Sequence, residues 1–306
     1  MFLICIELCE QKRKTWVKTH HLCTYFHIKS KQVLLWITNY MDIEMNEKIN
    51  ALYEDKDFIS LHALYNENKN PVIALLLADL TYSSNYKTDE NPFPTKKALN
   101  DFVKKEGMAC LREAASSGDL ASMTELADAQ MYGRAENVNF GSTICNSDLK
   151  GGIATYLDIL EHPDASDDLK ALAHYGIGHM IEIMTRPVIN DPLRPHSDFT
   201  DHWHCARQYN PNSLGYLFST LRIAEWYLLE SNQEPLAIPL FEEIKDTMPY
   251  ACAHLALAYQ RGAGVDIDND ISAMYFSLWK NRVEDYKLKL GSKKTNTIDI
   301  ESLLKN

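Results

Sequence analysis

From Met41 onward, apolar residues recur at spacings of three and four. EKINALYED, DFISLHALYNEN, PVIALLLADLTY and KKALNDFVKKEGMACLREAASSG each place them along one helical stripe. No segment shows the strict alternation of a half-buried strand. Polar or Gly/Pro-containing breaks separate the stripes: NENKNP, KTDENPFP, SSGD, HPDASDD, NDPLRPHSD, YNPNS, SNQEP and RGAGVDIDND. The pattern predicts helix after helix joined by short turns.

One pattern recurs inside these helices. A large residue followed by Ala or Gly occurs at Leu77-Ala78, Leu126-Ala127, Tyr175-Gly176, Ile223-Ala224 and Leu255-Ala256, at intervals of 49, 49, 48 and 32 residues. An aromatic or imidazole ring follows four or five residues later at Tyr82, His179, Tyr227 and Tyr259, and six later at Tyr132. Second helices lie between, in SDLKGGIATYLDILEH, EPLAIPLFEEIK and DISAMYFSLWKNR. A small residue lets two helix backbones approach, and its large neighbour fills the groove beside it. One such hairpin cannot bury its apolar face alone, whereas stacked copies bury a continuous core.

The last copy is the most regular. In YACAHLALAYQRGAGVDIDNDISAMYFSLWK, the residues Ala251, Leu255, Ala256, Tyr259, Gly262, Gly264, Val265, Asp268, Ala273 and Tyr275 follow one pattern. That segment resembles a Sel-one-like repeat, a relative of the tetratricopeptide repeat. Ala256 replaces the usual Gly, and Ala273 sits one residue late. REAASSGDLASMTELADAQMYG resembles the junction between two such repeats through Ala114, Ala115, Gly118, Asp119, Leu126, Ala127 and Gly133. The resemblance implies an all-α fold, an α/α solenoid of about five helix-turn-helix hairpins. The expected organisation is a basic extension over 1–40, a solenoid over 41–290 with an insertion at about 187–212, and a tail or capping helix over 291–306.

The glycine-rich turn RGAGVDIDND bears on function. It lacks the spacing and the Lys of a phosphate loop. Asp266, Asp268 and Asp270 fit the first positions of a calcium loop, but Ile271 and Ser277 stand where that loop needs Gly and Glu. The remaining reading is a corner: a glycine ends one helix and an Asp or Asn caps the next.

Composition narrows the picture. The chain of 306 residues carries a formal net charge of −11, which disfavours nucleic acid and anionic membranes as partners. No apolar run is long enough for a transmembrane helix. Seven scattered cysteines without a CxxC pair read as reduced thiols and a cytoplasmic location. Residues 1–40 differ: six Lys/Arg against two Glu give a net +4, and the natural start is expected near Met41 or Met45.

The candidate chemistry is sparse. RPHSDFTDHWHCARQYNPN gathers His196, Asp198, Asp201, His202, His204 and Cys205, all metal-competent. His202 and His204 are two apart, so on a helix they point to different sides. The expected reading is therefore no metal and no cofactor, with His202, His204, Cys205 and Asp198 as the residues a metal would use. His179 occupies the aromatic slot of its repeat and reads as a packed ring. No GxSxG, HExxH or dinucleotide-binding motif occurs, and no catalytic residue is expected.

The resemblance implies a non-catalytic protein–protein interaction module, an adaptor or scaffold of bacterial type, holding a polypeptide along the concave repeat surface. First-helix residues outside the packing positions are the expected contacts: Glu125, Asp128, His174, Arg222, His254 and Arg261. Two alternatives stand beside it, a metal-dependent enzyme seated in 194–212 and an immunity- or inhibitor-type protein masking a basic partner. An uncapped solenoid end can also self-stack.

Overall fold

The computed structural model describes residues 43–83, 86–87, 92–131, 148–185, 197–229 and 233–290. The extension over 1–40, the tail over 291–306, His196, Cys145, Tyr132 and Gly133 lie outside them. The described residues form twelve helices and no strand. These are α1 (Ile43–Glu54), α2 (Phe58–Asn68), α3 (Pro71–Ser83), α4 (Lys96–Ser116), α5 (Leu120–Met131) and α6 (Leu149–Glu161). They continue as α7 (Asp167–Thr185), α8 (Ser197–Ala206), α9 (Leu214–Leu229), α10 (Glu234–Ile244), α11 (Pro249–Arg261) and α12 (Asn269–Leu290). Residues 47–276 form one compact unit; the helical ends 43–46 and 277–290 belong to a second.

Within the first unit, each helix packs on its successor in sequence from α2 to α11. A second set of contacts skips one helix: α3 touches α5, α5 touches α7, and α7 touches α9. α3, α5, α7 and α9 all carry the large–small step; α2 also touches α4, outside that set. The architecture is therefore a stack of hairpins of the α/α solenoid class, in which first helices line up beside one another.

Local sequence explains where the helices begin and end. Asp57, Thr95, Asp119 and Asp148 each accept a backbone N–H three residues on, at Ser60, Ala98, Ser122 and Gly151. In SSGD, Gly118 takes a positive φ of 88° and Asp119 starts α5. The RGAGVDIDND turn follows the same plan. Gly262 ends α11 in the left-handed region, its N–H donating to the Ala258 carbonyl. Asp268 accepts the N–H groups of Asp270 and Ile271 at 3.0 and 2.9 Å and so caps α12. The corner thus caps both helices.

The small residues sit where helices touch. Ala78, Ala127, Gly176, Ala224 and Ala256 are all buried. A Cβ on Gly107 of α4 would lie 2.1 Å from Thr81 Oγ1 of α3, so glycine permits that crossing. Thr81 donates to the Leu77 carbonyl at 2.8 Å and reaches the Val103 carbonyl at 3.3 Å, tying the same pair together. A Cβ on Gly215 of α9 would meet the Ala171 backbone of α7 at 2.2 Å, so glycine lets these two first helices touch backbone to backbone. Met123, Ala127, Tyr156, Ile159, Ala173, Ile177 and Met180 carry one apolar core through α5, α6 and α7.

The segment expected as an insertion supplies α8, which packs on α7 and α9 as the second helix of its hairpin. Trp203 anchors it: its side chain is buried, edge-on to Phe199 at 5.2 Å. A Cβ on Gly178 of α7 would fall 2.6 Å from the indole nitrogen.

Candidate interaction surface

The residue before each large–small step defines one register on the first helices: the apolar Leu76 on α3, then Glu125 on α5, His174 on α7, Arg222 on α9 and His254 on α11. Two residues after the large residue stands a second register, with Asp79, Asp128 and Glu225 as its acids. On a helix these two registers are three apart and share a face. The sequence pattern alone could have singled out Glu225 through LAD, LAD and IAE.

Those acids hold partners on neighbouring helices. The Tyr53 hydroxyl donates to Asp79 from α1, and the Tyr156 hydroxyl donates to the buried Asp128 from α6. Glu225 faces His254 Nε2 at 3.2 Å and Arg222 Nη1 at 2.6 Å. Arg222 also pairs with Glu182 of α7, and Glu182 lies 3.3 Å from His179 Nδ1. The five residues form a line of alternating character, His179–Glu182–Arg222–Glu225–His254, across α7, α9 and α11.

Arg222 is 3 % exposed. Burial alone would lower its proton affinity; the two carboxylates of Glu182 and Glu225 outweigh that and hold the guanidinium above its ordinary range. Its Cζ stands 5.6 Å from the Trp203 ring. His254 stacks on Phe241 at 4.8 Å, 12° from parallel. The line thus joins first helices through charge and second helices through aromatic faces.

The six residues expected to meet a partner therefore divide. Asp128 and Arg222 are buried and bonded inside the protein. Glu125, His174 and His254 are half-buried, and Arg261 is exposed at the end of α11, beside the carbonyls that close that helix.

The metal-competent cluster also divides. Among the described residues no three His, Cys, Asp or Glu groups converge. His202 turns to His174 of α7, with 3.0 Å between their Nδ1 atoms. Burial, and then the neighbouring His202, lowers the His174 pKa to about 4. Burial and Arg207 lower that of His204 against the opposing pull of Asp201. Cys205 is a half-buried free thiol, and the Asp198 side chain lies outside the described residues.

A third arrangement recurs around the second helices. Lys69 lies over the Tyr65 ring at 4.9 Å and pairs with Glu113 at 3.0 Å, while the Tyr65 hydroxyl reaches Glu113 at 3.3 Å. Arg207, Tyr216 and Glu243 repeat it, and so do Lys245, Tyr275 and Glu242. In each, a cation covers a tyrosine face and shares an acid with its hydroxyl. Burial and Glu242 push the Tyr275 hydroxyl up to about 12.

No family profile matches the chain, and no curated protein is similar to it. Among solved structures, it is similar to a Sel1 repeat protein from Oxalobacter formigenes. The two are 15% identical, the likeness covers 77% of this chain and 84% of the other, and the TM-score is 0.49. Among the described residues no helix is long and apolar enough to cross a membrane.

Proposed function

We propose that the protein is a non-catalytic interaction module that holds a polypeptide along its first helices. The supporting observation is the direct contact of α3 with α5, α5 with α7 and α7 with α9, which brings the faces of successive first helices side by side. A stack of this kind offers one extended surface rather than a pocket. Glu125, His174, His254 and Arg261 are its accessible polar contacts. Asp128 and Arg222 act behind them: Arg222 sets the position of Glu225, and Glu225 sets that of His254. On this face Arg222, Glu225 and His254 already serve as structural partners for one another. The net charge of −11 favours a basic partner over an acidic one.

Site-specific photocrosslinking tests the reading. A crosslinker placed at Glu125 or His254 should capture a discrete polypeptide in the native cytosol. One placed at Leu157 or Leu236, exposed positions on the second helices α6 and α10, should not. Equal capture from both helix sets, or from neither, removes the reading.

A further inference from the structure

We infer that His174 and His202 form a two-histidine chelate for a late first-row transition-metal ion at the joint between α7 and α8. Two nitrogens bound about 2.0–2.1 Å from one metal, at about 90–95° to each other, stand about 2.9–3.0 Å apart. The Nδ1 atoms of His174 and His202 are 3.0 Å apart. A tetrahedral angle would require a separation of about 3.3–3.4 Å at the same bond length. The spacing therefore fits neighbouring positions of a square-planar or octahedral ion, the preference of Cu(II) and Ni(II), more closely than a tetrahedral zinc site.

Three features make the pair a chelate rather than a chance encounter. Its members sit on two packed helices, 28 residues apart in sequence, so the separation is fixed by the fold. The Tyr209 ring stacks on His174 at 6.0 Å and 27°, which restrains the imidazole plane. Both rings are half-buried, at the edge of the core rather than wholly in solvent.

Proton accounting is neutral. Without metal, one Nδ1–H donates to the other Nδ1, so one ring is the Nδ1–H tautomer and the other the Nε2–H tautomer. On binding, the first ring's proton moves to its own Nε2 through water. Both Nδ1 lone pairs then face the ion, and no proton is released.

Copper(II) alone is the probe, added below one equivalent to the full chain, without any partner. Its electron paramagnetic resonance spectrum should show splitting from two imidazole nitrogens. His202→Asn should weaken the tightest Cu(II) binding at least about tenfold and reduce the splitting to one nitrogen or none. His204→Asn, on the same helix, should leave both unchanged. Splitting from a single nitrogen in the wild-type protein would overturn the inference without recourse to any variant. So would a folded His202→Asn protein that binds Cu(II) as tightly as wild type.

Discussion

Arg222 Nη1 lies 2.6 Å from Glu225 Oε2, one turn along the same helix, with the arginine buried and the glutamate half-buried. An ion pair three residues apart on an exposed helix contributes only a few tenths of a kcal/mol. Here the arginine is buried, and a second carboxylate, Glu182, reaches it from α7.

Removing the arginine alone should be costly. Arg222→Ala leaves Glu182 and Glu225 facing each other without a cation, and the expected loss is about 3–5 kcal/mol of unfolding free energy. Replacing Glu182, Arg222 and Glu225 together with Leu, Met and Gln should cost less than Arg222→Ala alone. Urea denaturation of the two variants, compared at matched m-values, checks the order.

The Tyr156–Asp128 bond joins α6 to α5. Tyr156→Phe keeps the ring in the core and deletes only the donor. The expected cost is about 1.5–3 kcal/mol, the range for a hydrogen bond to a charged group. A double-mutant cycle with Asp128→Asn should return a coupling of at least about 1 kcal/mol.

Acid should weaken the α7–α8 joint. Burial and His202 lower the His174 pKa from 6.5 to about 4 in the folded chain. Above pH 6.5 neither state holds the proton, so the group contributes nothing to the pH dependence. Between pH 6.5 and 4 the unfolded chain takes up a proton that the folded one does not. Stability therefore falls as pH falls through that window. Thermal melting from pH 7.5 to 4.5 should show the decline, and His174→Gln should flatten it.

The RGAGVDIDND corner should respond as a cap. Gly264 has a φ of +76°, and a Cβ there would lie 2.5 Å from the Glu234 carbonyl carbon. Gly264→Val should lower the melting temperature, with a loss above about 1 kcal/mol from backbone strain and clash combined. Asp268→Ala should cost about 1 kcal/mol. Calcium should raise the melting temperature of neither variant nor of the wild type.

The elements most legible in the sequence were those fixed by local chemistry. The small residues of the large–small steps came out buried because an alanine or glycine at a helix crossing declares itself whatever its partner is. The Gly118-Asp119 and Gly262-to-Asp268 corners were legible because φ and cap demands act within a few residues. Glu182 was not: its partner Arg222 lies 40 residues away, and nothing in HMIEIMT marks that glutamate as inward-facing. The His174–His202 contact escaped for the same reason. Helical geometry puts His202 and His204 on different sides of one helix but could not reveal which ring on another helix would meet His202. Helix α8 was concealed by its setting, since NDPLRPH before it, with two prolines, reads as loop.

The line from His179 to His254 bears on how the molecule comes apart. Arrays of stacked hairpins ordinarily fray from an end, because each unit depends only on its neighbour. A charged thread through α7, α9 and α11 removes that independence, since peeling α11 away strips Glu225 of one partner and unsettles Arg222 beneath it. These three helices should surrender their slow-exchanging amides together, as one cooperative block, while α3 and α5 let go on a separate schedule.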